Sequence, residues 1–207
     1  MKILFTLLIM SLGINALAEG NMSHTHMKHV YEGWKTTPNG AGFLPTALEE
    51  ANIALTHATI ALKKDTDLSW LQLHATHVAQ ALSGQNKGPG LGFGMVPAAM
   101  GVAKHIELAA KSPGASANVK THAEHVSTSA NNAVYWGEQG LSLITEITNS
   151  THADKAKALT IELRNLMQAA INGMDSNGDG TINWTKMEGG LMEADKHLGF
   201  MIKGESL

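Results

Sequence analysis

The strongest constraint on this chain is a sequence that occurs twice. His74-Ala75-Thr76-His77-Val78 returns 48 residues later as His122-Ala123-Glu124-His125-Val126. The same offset carries His57 onto His105, Ala61 onto Ala109 and Lys63 onto Lys111. Six of the eleven histidines therefore belong to one duplicated pattern, and a function has to explain them.

The surroundings of the pattern are helical. Alanine is abundant, aromatic residues are 5% of the chain, and β-branched runs are short, a composition suited to closely packed helices. Apolar residues recur at helical spacing from Pro45-Thr46 to Lys63-Lys64, and Asp65 to Asp67 make a turn in which Asp67 can cap the next helix. That helix runs from about Leu68 to Leu82 and is stopped by Ser83-Gly84. After a Gly/Pro-rich connector, Met95 to Lys111 forms a third helix, and a long fourth helix runs from Ser116 towards Ile147.

His57 and His74 are equidistant from the first turn, and His105 and His122 from the break at Ser112-Pro113-Gly114. In an antiparallel hairpin, residues equidistant from the turn lie at one height, about 13 Å along the axis at 1.5 Å per residue. His57 should face His74, and His105 should face His122. His77 and His125 follow their partners at i+3, on the same helix face. The expectation is an all-α protein in which duplicated antiparallel hairpins form a four-helix bundle over residues 46–150.

Two segments flank that bundle. Residues 1–18 read as a secretory signal: Lys2, an apolar core from Ile3 to Leu12, and a small-x-small site at Ala16-Leu17-Ala18. Cleavage after Ala18 would deliver the chain to a periplasm or outside the cell, and no later stretch is apolar enough to cross a membrane. Residues 19–45 are rich in Gly, Asn, Thr and Met and hold His24-x-His26-x-x-His29. That composition suggests a polar, flexible tail. Without Lys2 the chain keeps 14 basic against 18 acidic residues, which suits neither nucleic acid nor an anionic membrane as partner. The absence of cysteine excludes disulfides, thiolate metal sites and a cysteine nucleophile.

Residues 151–207 read as a helix-loop-helix. Asp154 to Met174 is amphipathic, and a closing helix holds Leu191, Met192, His197, Leu198, Met201 and Ile202, with Glu193 and His197 as a surface pair. Between them, Asp175-x-Asn177-x-Asp179-Gly180-Thr181-Ile182 has the donor spacing of a calcium loop and resembles the EF-hand family over roughly residues 160–200. The resemblance implies Ca2+ bound by Asp175, Asn177, Asp179 and the Thr181 carbonyl. Loop position 12, usually a bidentate Glu, is Lys186, so Glu188 or water would have to complete the shell. The affinity expected is on the order of 10⁻⁴ to 10⁻³ M, as in extracellular modules.

His-x-x-His with a third imidazole from a facing helix offers three ligands to one transition metal, with a fourth position open. Leu55-Thr56-His57-Ala58 and Leu73-His74-Ala75-x-His77, with their repeat, resemble the small histidine-rich metal-binding proteins of bacterial periplasms. Those are four-helix bundles that bind several divalent metals. The resemblance implies metal buffering or sequestration, with Zn, Cu or Ni held by His57, His74, His77, His105, His122 and His125. A non-enzymatic role comes first. A b-type haem electron carrier with bis-His ligation is the alternative. A hydrolase using metal-bound water comes last, with Glu124 its one candidate base.

Overall fold

The structure is a computed structural model. It describes residues 13–207 other than 86 and 87, with side chains from residue 22 onward. The signal-peptide reading falls largely outside the described residues, because residues 1–12 are among those left out.

The described residues form seven α-helices and no strand: α1 (Gly13–Tyr31), α2 (Phe43–Ala61), α3 (Leu68–Ser83), α4 (Met95–Lys111), α5 (Ala117–Thr148), α6 (Ala153–Asn172) and α7 (Leu191–Glu205). The all-α expectation holds. Local chemistry sets the ends. The Asp67 carboxylate accepts from Trp70 N at 3.0 Å to cap α3, and the Ser116 hydroxyl accepts from Val119 N at 3.0 Å to cap α5. Gly84 closes α3 at φ +68°, a left-handed position that suits glycine.

α2 packs on α3 and α4 on α5, and the two pairs meet where α2 lies on α4 and α3 on α5. Alanine makes the approach close. Ala47, Ala51, Ala54, Ala58 and Ala61 form one buried stripe on α2. On α5, Gly137 and Gly140 take the methyl ends of Met95 and Met167, which a Cβ would strike.

Two boundaries differ from expectation. The stretch read as a flexible tail contains most of α1, which lies on α4 and α2 and buries Met27 and Val30 completely. The buried side of α1 also takes in Ser23, while Met22 stays exposed, which is why the helix reads as polar. Nor does the bundle stop near residue 150. Leu163 and Met167 of α6 and Leu191, Leu198 and Met201 of α7 enter the same core as Ala54, Val78 and Val126. α5, at 32 residues about 48 Å long, is the common wall, touching α3, α4, α6 and α7.

A buried carboxylate fixes the connector between the pairs. Glu50 of α2 is fully buried and accepts from Leu91 N, Phe93 N and Gly94 N at 3.1, 3.0 and 2.8 Å. Gly94 is the N-cap of α4, so Glu50 sets where α4 begins relative to α2.

Candidate metal centres

Three histidine triads lie in this scaffold: His26/His29/His105, His57/His74/His77 and His122/His125/His197. In each, the three residues bring one ring nitrogen apiece to within 4.8 Å of the others. Each combines a His-x-x-His pair on one helix with a single histidine on a neighbour. The pairs are on α1, α3 and α5, and the single histidines on α4, α2 and α7.

The paired helices present the same face. The residue after the first histidine (Met27, Ala75 or Ala123) is buried, the next (Lys28, Thr76 or Glu124) is exposed, and the valine after the second (Val30, Val78 or Val126) is completely buried. The apolar positions fasten the helix, and the two imidazoles stand at the edge of that seam. The single histidines also share a frame. α2, α4 and α7 each begin after a Gly N-cap, Gly42, Gly94 and Gly190. Their histidines follow at 15, 11 and 7 residues, steps of about one turn that keep the ring on nearly the same face.

The expected set is thus partly regrouped. His57 does face His74, with Nδ1 atoms 3.0 Å apart, and His77 joins them. His105 and His122 do not pair. The Nδ1 of His105 meets those of His26 and His29, each at 3.2 Å. The Nδ1 of His197 meets those of His122 and His125, at 3.1 and 3.2 Å. Equal height along a hairpin does not fix rotation about its axes. Here α4 turns its histidine towards α1, and α5 turns its pair towards α7. His197, read from sequence as part of a surface pair, is buried.

These contacts are not explained by protons. A neutral imidazole nitrogen carries either one N–H or one lone pair, so the Nδ1 of His105 can serve one hydrogen-bond partner and not two. The same holds for His197. In the His57/His74/His77 triad the Nδ1 of His77 is buried with no hydrogen-bond partner. A cation that accepts three lone pairs satisfies all of these atoms at once. A tetrahedral ion with bonds of 2.0–2.1 Å sets its ligands about 3.3 Å apart, close to the separations seen here.

Protonation points the same way. Burial lowers His105 to about 4, helped by His29, His26 and Lys104. Burial likewise lowers His26, His29, His57, His74, His125 and His197, with neighbouring imidazoles adding to it at all but His26. Neutral rings are the form that binds metal.

Each triad also has a tryptophan. Trp34 lies edge-on to His29 at 4.6 Å between centroids, Trp70 to His74 at 4.3 Å, and Trp184 stacks on His125 at 4.1 Å. Trp70 is half-buried and also donates Nε1–H to Ile60 O. A cleft of about 290 Å³ opens beside His57.

The 175–188 segment is a compact polar loop. Asp175 accepts from the backbone N–H of Gly178, Asp179 and Gly180, and Asp179 accepts from Thr181 N and its hydroxyl. Lys186 is exposed, and α7 starts only at Leu191, beyond where a calcium-loop helix would resume. Met187, at φ +69°, reverses the chain so that Glu188 turns inward. Its buried carboxylate accepts from Asn177 Nδ2 at 2.6 Å and Asn183 N at 3.4 Å. Asn132 of α5 holds this turn through Thr185 O, Gly189 O and Met187 N.

No protein-family model, characterised protein or solved structure matches the chain. Its chemistry has to be argued from its own residues.

The sequence reading left His26 and His29 in a flexible tail and His197 in a surface pair, outside the ligand set. The 48-residue offset that relates His122 to His74 also relates His74 to His26 and His77 to His29. That signal was present. His197 was findable by elimination: three His-x-x-His pairs call for three single histidines, and His197 sits among Ala194, Leu198 and Met201 on an amphipathic helix.

Proposed function

We propose that this is an exported, non-enzymatic protein that buffers or sequesters transition metal, holding one ion at each of its three histidine triads. The observation that carries the reading is the threefold convergence of imidazole nitrogens, which meet at 3.2, 3.0 and 3.1 Å in the three triads, close to the spacing a tetrahedral ion sets. Zinc, copper and nickel all accept such a set. A bare ion fits better than haem, whose two axial nitrogens would stand on opposite faces of the macrocycle, roughly two metal–nitrogen bonds or about 4 Å apart. Among the described residues no helix is long and apolar enough to cross a membrane, which suits a protein released after export.

The test is elemental analysis of the purified chain. Zinc loading to three equivalents, falling to none when His57, His105 and His197 are all replaced by Ala, is the expected result. Undiminished loading of that variant would remove the triads from the function.

A second ion is favoured by one specific observation. Glu188 turns back into the 175–179 loop, where the resemblance to an EF-hand calls for a closing carboxylate. We assign Ca2+ there to Asp175, Asn177, Asp179, the Thr181 carbonyl and Glu188. Calcium titration of Asp175→Ala and Glu188→Gln against the parent chain tests it, and equal calcium uptake by all three proteins ends the assignment.

A further inference from the structure

The three triads share their ligands but not their charges. At His26/His29/His105 the residues just before His29 and His105 are Lys28 and Lys104, both exposed. Lys28 has a partner, Glu32, at 3.6 Å, and Lys104 opposes any added positive charge at His105. At His57/His74/His77 the equivalent residues are Thr56 and Thr76, which are neutral. At His122/His125/His197 they are Glu124 and Lys196. Lys196 there is paired to Glu193, at 2.9 and 3.2 Å.

Glu193 does more than neutralise Lys196. Its Oε1 lies 3.2 Å from Nε2 of His197, and its side chain is 12% exposed. The same imidazole turns its Nδ1 to His122 and His125. Its inner nitrogen thus faces the centre while its outer nitrogen lies against a carboxylate as an ion-pair contact. A carboxylate so placed fixes the tautomer with Nδ1 free and raises the basicity of the ligating nitrogen. The contrast with the α2–α3 triad is direct, because the outer nitrogen of His74 is buried with no hydrogen-bond partner.

Resting on the metal-binding reading above, we infer that the three centres are graded in affinity for a divalent cation. The His122/His125/His197 centre is the tightest, because Glu193 positions and polarises His197. The His57/His74/His77 centre is intermediate. The His26/His29/His105 centre is the weakest, because Lys104 opposes the incoming charge and no carboxylate backs His105. One chain of three similar sites then responds over a range of free metal rather than at one threshold, and fills from its C-terminal end.

The test uses Zn2+ in competition with a chromophoric chelator. Three double variants each keep one triad: H57A/H105A, H57A/H197A and H105A/H197A, with helicity checked by circular dichroism. The expected result is at least about a tenfold difference in Kd between the first and the second of these, with the third between them. Glu193→Gln in the H57A/H105A background should weaken zinc about 10- to 100-fold, with partial rescue by Glu193→Asp. Lys104→Gln should tighten the weakest site, and added salt should narrow the gap, since Lys104 is exposed and screened.

If a double variant does not fold, Glu193→Gln and Lys104→Gln in the full chain give the same information. The first should shift only the earliest zinc equivalent and the second only the last, with metal-free unfolding midpoints unchanged. Equal affinity at the three sites, or no effect of Glu193→Gln on zinc, overturns the gradation. A full chain that binds no zinc overturns the metal-binding reading, and the gradation with it.

Discussion

His105 and His29 meet Nδ1 to Nδ1 at 3.2 Å, although 76 residues separate them in the chain. That meeting brings the His26–His29 stretch of α1 into a candidate metal centre. His105→Ala should remove one of three zinc ions and leave the other two. Elemental analysis of the variant checks this, and loss of all three ions would mean that the triads are not separate sites.

The metal-free protein should weaken in acid. The shifted rings go down from the ordinary histidine value of 6.5, burial being the first cause at each. The unfolded chain therefore takes up protons near 6.5 that the folded chain refuses. Stability is full above 6.5 and falls as pH drops from there to about 4, where His105 finally protonates. His105 alone contributes on the order of 3 kcal/mol across that window. Urea midpoints at pH 7, 6, 5 and 4 read it, and a flat profile would contradict it. Metal should leave over the same range, because protons and metal compete for the same nitrogens.

Copper should quench most of the tryptophan fluorescence. Trp34, Trp70 and Trp184 each touch a triad, whereas Trp136 is completely buried in the core. Replacing the first three by Phe should leave an emission that Cu2+ hardly changes. Strong quenching of the remaining Trp136 would show that copper binds elsewhere.

Glu50→Ala should be among the most damaging single changes outside the triads. It strands the N–H groups of Leu91, Phe93 and Gly94, the last of them buried, which have the Glu50 carboxylate as acceptor. A loss of about 3 kcal/mol is expected in denaturant unfolding. Zinc should still bind to the folded fraction, since Glu50 is not in any triad.

Much of this molecule was legible as sequence, and the gaps have physical causes. Period and capping residues give the helices, and the tight turn at Asp65–Asp67 fixes His57 opposite His74. A short turn leaves two helices little freedom to rotate. Between α4 and α5 the same height argument fails for His105 and His122, because the faces are chosen by α1 and α7, which lie outside the hairpin, one before it in the chain and one after it. α1 itself reads as polar because it buries only a stripe, of which Met27 and Val30 are the visible members. Glu193 and His197 at i, i+4 are the usual look of a solvent-facing pair. Only the arrival of His122 and His125 beside them shows otherwise.

The distances along the chain between ligands have a last consequence. The chain has no cysteine, so no covalent cross-link ties its distant parts. A metal at His57/His74 would close a loop of 17 residues, but one at His26/His105 would close 79 and one at His122/His197 would close 75. Loop-closure entropy makes each long loop worth about 1.4 kcal/mol more, as a restraint on the unfolded chain, than the short one. Bound metal at the two outer sites would then do for this protein what disulfides do for others, clasping its first and last helices to the body. Stripping the ions should loosen both ends before the middle.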